Sequence, residues 1–123
     1  MKTASGAAGE AQAASFLEGK GCRIIARNYR TRFGEIDIIA QSGPYILFAE
    51  VKTREVGSLV GPLEAVTLAK QRRVIKTAML YLQSHPTELQ PRFDVIAVTT
   101  GDGGKTVQDI LHLENAFEAR GFL

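Results

Sequence analysis

Two acids and a lysine near the ends of neighbouring apolar segments are the residues of this chain best suited to chemistry. Asp37 lies in the segment 34–40, and Glu50 and Lys52 end the next apolar run, 45–52. Because side chains alternate along a strand, Glu50 and Lys52 share one face. Hard cations such as Mg²⁺ are held by one or two carboxylates, with water and phosphate oxygens completing the coordination. The pattern predicts a metal-dependent nuclease centre.

The roles of the three residues follow from the needs of phosphodiester hydrolysis. Asp37 and Glu50 would hold Mg²⁺ or Mn²⁺, and Lys52 would orient the attacking water or balance the developing charge. An acid and a lysine on one strand face also form solvated ion pairs of small energetic value. The Glu-x-Lys pattern alone does not distinguish such an ion pair from a catalytic centre. We expect all three side chains at solvent-facing strand ends.

A further acid, Glu10, lies near the start of an Ala-rich segment with helical spacing, 9–20, that stops at Gly21. In the first turn its charge would interact favourably with the helix dipole. Alternatively, it faces the metal site. The preceding residues are small and lack periodicity, so we expect a flexible N-terminal tail over 1–8 and a single domain over 9–123.

The remaining patterns predict an α/β domain with a mixed central sheet flanked by helices. Strands are expected over 22–28, 34–40, 45–53, 92–99 and 107–113, and further helices over 68–83 and 114–120. Short connections favour antiparallel pairing of the first three strands, and the long helix favours a parallel crossover to the fourth. Thr67 is expected to cap the long helix, whose core stripe would include Leu68, Ile75, Met79 and Leu82.

Length and composition suit one cytoplasmic domain. The chain has 123 residues, a formal net charge of +2 and a single cysteine, Cys22. One cysteine excludes an intrachain disulfide and suits a reducing compartment. No run approaches the roughly 20 apolar residues of a membrane span, and the start lacks a signal-peptide pattern. We therefore expect a cytoplasmic protein with no membrane partner.

Basic residues cluster around the predicted centre although the net charge is small. One cluster lies in 23–32, which contains no acid, and a second lies at the front of the long helix. The residues expected to contact nucleic-acid phosphates are Arg30, Arg32, Arg54, Lys70, Arg72 and Arg73. Such cations either follow a phosphate backbone or form an ordinary solvated face.

A series of short motifs in order along the chain carries a resemblance. They are Gly-Glu at 9–10, Asn-Tyr-Arg at 28–30, Gly-Glu-Ile-Asp-Ile-Ile at 34–39, Phe-Ala-Glu-Val-Lys-Thr-Arg at 48–54, Lys-Gln-Arg-Arg at 70–73, Arg-Phe-Asp-Val at 92–95 and Asn-Ala-Phe at 115–117. With these motifs the chain resembles the YraN-type family of uncharacterised bacterial proteins, in the Holliday junction resolvase-like branch of the PD-(D/E)xK nuclease superfamily. Ile36 stands where the superfamily name has proline, a departure that leaves Asp37 in place.

The resemblance implies a restriction-endonuclease-like fold and a set of functional residues. Glu10, Asp37 and Glu50 are implied as metal-site acids and Lys52 as the catalytic lysine. Gln71, on the following helix, is implied as an accessory residue close to the nucleic acid. Related junction resolvases act as dimers, so the resemblance also implies a homodimer.

Hydrolysis of DNA phosphodiester bonds is the leading function, either structure-selective or nonspecific. No element has the pattern of a helix that reads bases in the major groove, which favours recognition of shape. The main alternative is a non-catalytic nucleic-acid-binding adaptor in DNA processing or uptake. RNA is a further candidate substrate, because nothing in the sequence distinguishes the sugar.

Overall fold

In residues 4–119, which the computed structural model describes apart from the side chains of residues 4, 5 and 7, five strands form one mixed sheet. The elements are α1 (Ala4–Gly19), β1 (Arg23–Thr31), β2 (Gly34–Ser42), β3 (Tyr45–Glu55), α2 (Leu68–Ser84), β4 (Gln90–Gly101), a 3₁₀ turn (Asp102–Gly104) and β5 (Thr106–Phe117). The strands lie side by side in the order of the chain. The α/β fold predicted from the sequence is confirmed, and its architecture is compatible with a restriction-endonuclease-like fold.

Connection length accounts for the direction of each strand. The short turns on either side of β2 make β1, β2 and β3 antiparallel to their neighbours. The crossover through α2 brings β4 beside β3 in parallel, with Glu50 opposite Val95. β5 returns antiparallel to β4 at the edge of the sheet.

The two helices cover opposite faces of the sheet. On one face, Ile75 of α2 packs into a buried cluster with Phe48. On the other face, Leu17 of α1 packs into a second cluster with Leu47. Burying each such side chain stabilises the fold by about 1.5 to 3 kcal/mol. Among the described residues, neither helix is long and apolar enough to cross a membrane.

Helix α1 begins five residues before the start that the sequence predicted. It includes residues 4–8, which were expected in the tail, and residues 1–3 lie outside the described residues. Because alanine is the strongest helix former, the run Ala7-Ala8 extends the helix readily. Glu10 is therefore beyond the first turn, where the helix dipole acts, and the dipole alternative for this acid loses its basis.

Strand β5 occupies most of the segment 114–120, so the prediction of a terminal helix there was wrong. Residue 120 lies outside the described residues. Phe117 stands opposite Phe93, and their rings stack with centroids 5.3 Å apart. Asn115 adopts a φ of 52° within the strand, and its N–H donates to Oδ1 of Asp94 at 3.0 Å. These long-range contacts outweigh the weak local pattern.

Helix α2 starts where predicted, but its buried face is rotated. The Thr67 hydroxyl accepts a hydrogen bond from the Lys70 N–H at 3.2 Å, which confirms the predicted N-cap. Leu68 and Met79 are 61% and 41% exposed, so the predicted core stripe was wrong at these positions. Tyr81 is buried instead.

Candidate functional site

Side chains from four elements converge where the ladder between β2 and β3 ends. The last pair of that ladder is Ile38 opposite Ala49. Beyond it, Oδ2 of Asp37 accepts a hydrogen bond from the Val51 N–H at 2.8 Å. The residues gathered there are Glu10 from α1, Glu35 and Asp37 from β2, Glu50 and Lys52 from β3, and Lys70 from α2.

Two cavities share this region. One of about 410 Å³ is lined by Glu10, Asp37, Lys52 and Lys70, and one of about 290 Å³ by Glu35, Asp37, Glu50 and Lys70. Asp37 and Lys70 therefore stand between the two. A larger cavity of about 720 Å³, beside Met79 and Phe117, is lined by none of the six residues gathered here.

Three acids of the site are buried, so the prediction that Asp37 and Glu50 occupy solvent-facing strand ends was wrong. Glu10, Asp37 and Glu50 are 4%, 6% and 1% exposed. Helix α1 lies over β3 on one face, and α2 lies over β2 on the other. Buried carboxylates destabilise a fold unless nearby positive charge or hydrogen bonds compensate them. The arrangement therefore calls for cations beside the acids.

Glu35 is the site residue that the sequence reasoning missed. One carboxylate oxygen from each of Glu10, Glu35 and Asp37 lies within 4.8 Å of the others. The amide of Asn28, in the orientation that satisfies both of its ends, donates to Oε2 of Glu10 at 3.0 Å and to Oε1 of Glu35 at 3.2 Å. A signal was present, because Glu35 is two residues before Asp37 on one strand and so shares its face.

Glu50 lies outside that three-acid cluster and is paired with α2. Nζ of Lys70 is 3.0 Å from its Oε2. Although the contact is an ion pair, this buried oxygen accepts no hydrogen bond from any described residue. The pKa of Glu50 is raised to about 7: burial is the main cause, the negative charge of Asp37 adds to it, and the positive charges of Lys70 and Lys52 oppose it.

The two lysines of the site differ in how readily they lose a proton. Burial lowers the pKa of Lys52, and the neighbouring Lys70 lowers it further. Burial also acts to lower the pKa of Lys70, but Glu50 and the contact with Lys52 outweigh it and raise the pKa. Lys52 is therefore the amine that more readily reaches the neutral form, and Lys70 holds its proton more firmly.

The donor set fits a hard divalent cation. Every acidic ligand atom is a carboxylate oxygen, which is the type Mg²⁺ and Mn²⁺ prefer. Ligand oxygens about 2.1 Å from an octahedral Mg²⁺ lie about 3.0 to 4.2 Å apart, so oxygens within 4.8 Å of one another would move closer together on binding. The buried Oε2 of Glu50, which lacks a hydrogen bond from the described residues, is a further available donor.

Several residues predicted to contact phosphates are engaged within the protein. Arg30 pairs with Glu35 at 2.6 Å. Arg54 donates to the Val60 carbonyl at 2.8 Å. The side-chain amide of Gln71 donates to the carbonyl of residue 66 at 3.1 Å, which supports the turn before α2.

Three predicted arginines are exposed beside the site. Arg72 and Arg73 lie on α2, and Arg73 lines the cavity of about 290 Å³. Arg32 lies over the ring of Phe33, with the guanidinium carbon 4.9 Å from the ring centroid. These side chains add exposed positive charge to that of Lys70, which contacts Glu50 directly.

Comparison with known proteins adds a family to this geometry. The model of the uncharacterised protein family UPF0102 matches residues 9–98. The chain belongs to this family. A UPF0102 protein of Symbiobacterium thermophilum is 49% identical over 120 residues, covering 97% of this chain and 100% of that protein. One from Anaeromyxobacter dehalogenans is 42% identical over 121 residues, with 98% and 88% covered.

The UPF0102 match includes every residue of the site, from Glu10 to Lys70. A UPF0102 protein of Lachnoclostridium phytofermentans is 40% identical over 122 residues, covering 98% of each chain. The resemblance to the YraN-type family predicted from the motifs is confirmed. The names of these relatives state no activity, so a function must be argued from the site.

We expect the stability of the metal-free protein to fall as the pH rises from about 5 to about 8. The pKa of Glu50 is raised from 4.5 to about 7 in the folded protein, so between these values the folded state binds more protons than the unfolded state. Since one pKa unit corresponds to about 1.4 kcal/mol, ionisation of Glu50 costs on the order of 3 kcal/mol. Urea unfolding in EDTA across this pH range measures the effect.

Glu50→Gln is the matched control for this dependence, because the amide keeps the size of the side chain and does not titrate. The pH profile of Glu50→Gln should be flatter than that of the wild type over the same range. Parallel profiles for the two proteins would contradict the assignment of the raised pKa to Glu50.

Proposed function

We propose that this UPF0102 protein is a metal-dependent endonuclease that hydrolyses phosphodiester bonds in DNA, with selectivity for shape or none. The cluster of carboxylate oxygens from Glu10, Glu35 and Asp37, all within 4.8 Å of one another, carries the proposal. Its position beside Glu50 and Lys52 supports it.

The acids would hold the cation, and each has a defined position. Glu10, Glu35 and Asp37 would bind Mg²⁺ or Mn²⁺, with Glu50 completing the set. The bound cation would lower the pKa of a water molecule and neutralise charge on the phosphoryl oxygens. Asp37 would be the main ligand of the cation, because it lines both cavities. A hydrogen bond from the Val51 N–H to its carboxylate fixes its orientation.

Lys52 would handle the proton of the attacking water. In the hydrolysis, the water oxygen forms the new bond to phosphorus, and the bond between phosphorus and the leaving sugar oxygen breaks. The lowered pKa of Lys52 increases its neutral fraction, which accepts the proton lost by the water. A proton from solvent then neutralises the leaving oxygen.

The exposed arginines would hold the backbone of the nucleic acid. Arg32, Arg72 and Arg73 would pair with backbone phosphates, and such contacts position a duplex without reading its sequence. A homodimer would present two such centres to a branched substrate. The mass of the protein in solution should therefore be measured alongside the activity assay.

The experiment that tests the proposal is a cleavage panel with the purified protein. We expect cleavage of branched or flapped DNA in Mg²⁺ or Mn²⁺ and none in EDTA, because the ligands are all hard oxygen donors. Single-stranded, duplex and RNA versions of each substrate define the substrate class. Binding without cleavage in every divalent metal would overturn the nuclease proposal and favour the adaptor.

A further inference from the structure

Lys70 occupies a position that the hydrolytic chemistry does not use. It lies in the first turn of α2, fixed there by the Thr67 cap, and its side chain lines both cavities of the site. Its Nζ is 3.0 Å from Oε2 of Glu50. The ammonium of Lys70 thus forms a direct ion pair with the carboxylate of a residue that is 1% exposed.

The two side chains of this ion pair differ in how far they can move. The Glu50 side chain is 2% exposed and is anchored on a central strand, whereas the Lys70 side chain is 37% exposed. Lysine has a long flexible stem and a strongly hydrated head. The ammonium can therefore leave for water while the carboxylate stays in place.

A divalent cation and the Lys70 ammonium compete for the same oxygen. Oε2 of Glu50 lacks a hydrogen bond from any described residue, and the cation in direct contact with it is the Lys70 ammonium, 3.0 Å away. A cation bound at Glu50 and Asp37 would stand within a few ångströms of the ammonium, and the like charges would repel. Each positive charge therefore weakens the hold of Glu50 on the other.

We propose that Lys70 is a displaceable counter-ion: it neutralises Glu50 in the metal-free protein, withdraws when a divalent cation binds, and thereby weakens cation binding. This inference rests on the proposed function, because it concerns the same metal site. It assigns to Lys70 a regulatory role distinct from the proton-accepting role of Lys52. A phosphate of the substrate can then receive the released ammonium, which links cation binding to substrate binding.

The test compares Mn²⁺ binding to the full chain by calorimetry and by electron paramagnetic resonance, without nucleic acid. Lys70→Met keeps the length of the stem and removes the charge, so we expect it to bind Mn²⁺ at least tenfold more tightly than the wild type. Lys76→Met is the matched control, since Lys76 is an exposed lysine on the same helix that lies over Phe33. Its Mn²⁺ affinity should equal that of the wild type.

Thermal unfolding supplies a second readout. In EDTA, Lys70→Met should unfold at a lower temperature than the wild type, because Glu50 loses its counter-ion, and Mn²⁺ should restore more stability to the variant than to the wild type. Should Lys70→Met fail to fold without metal, Lys70→Gln and refolding in Mn²⁺ provide the same comparison.

Two failures are distinguishable. If the wild type binds Mn²⁺ and the neutral variants of Lys70 bind it equally or more weakly, the counter-ion role is overturned and the metal-dependent function stands. If neither the wild type nor the variants bind Mn²⁺, the proposed function fails, and the counter-ion role fails with it.

Discussion

Asp37→Asn should reduce the rate of DNA cleavage by at least about two orders of magnitude. A metal ion contributes several kcal/mol of transition-state stabilisation, and each 1.36 kcal/mol is a factor of ten in rate. Asp37 is the acid common to both cavities, so removing its charge weakens cation binding in either cavity. The amide oxygen of Asn can still accept the hydrogen bond from the Val51 N–H. The fold should therefore persist.

Single-turnover cleavage at saturating protein measures this loss, with DNA binding measured in EDTA. Glu50→Gln and Lys52→Ala should also lose most cleavage while retaining binding. Glu18→Gln is the matched control, because Glu18 is an exposed acid on α1. Wild-type cleavage by folded Asp37→Asn would refute the assignment of this acid to the metal site.

The largest effect on stability is expected at Asp94, on the α1 side of the sheet. Its carboxylate is fully buried and accepts hydrogen bonds from Nε and Nη2 of Arg92, each at 2.9 Å. It also contacts Nε2 of His112 at 2.7 Å and accepts from the Asn115 N–H at 3.0 Å. Burial acts to raise the pKa of Asp94, but the bonds from His112 and Arg92 outweigh it and hold the pKa below its ordinary value.

Asp94→Ala should lower the free energy of unfolding by about 3 to 5 kcal/mol, because the guanidinium of Arg92 is left in the interior without its main partner. Urea unfolding at pH 7 measures the change. Asp109→Ala, at an exposed position on β5, should stay within about 0.5 kcal/mol of the wild type. A loss below 1 kcal/mol for Asp94→Ala would mean that the network contributes little to stability.

Local patterns were sufficient to predict most of the fold. Alternation along the strands, the short turns and the Thr67 cap each act within a few residues, and the structure has the predicted strands and long helix with shifted ends. The prediction of a terminal helix failed because the stacking of Phe117 on Phe93 joins residues far apart in the chain. The prediction that Leu68 is buried failed for a related reason, since the packing angle of α2 decides which face of the helix is buried.

The site was predictable to the extent that its residues share a strand or a motif. Asp37, Glu50 and Lys52 could be placed together from strand alternation and a short turn. The contact between Lys70 and Glu50 could not, because it depends on how α2 docks on the sheet. Burial of the acids was missed for the same reason: a strand end is exposed or covered according to helices that lie elsewhere in the sequence.

Close approach of α1 explains how an N-terminal acid reaches the centre. A Cβ on Gly9 would collide with Oγ1 of Thr53 on β3, so the helix backbone rests directly against the strand. Only glycine allows this contact without displacement. Glu10, the next residue, is thereby held beside Asp37 and Lys52 along one wall of the cavity.

Strand order that follows chain order also shapes how the protein folds. β1, β2 and β3 pair through short turns, whereas the pairing of β3 with β4 must close a loop over residues 56–89. Short loops close with less loss of entropy and therefore sooner. Glu35, Asp37 and Glu50 are then gathered before α2 delivers Lys70. Arg30 on β1 can pair with Glu35 at that stage, whereas Glu50 gains its ion pair with Lys70 only when α2 docks. We therefore expect the docking of α2 to relieve electrostatic repulsion around Glu50.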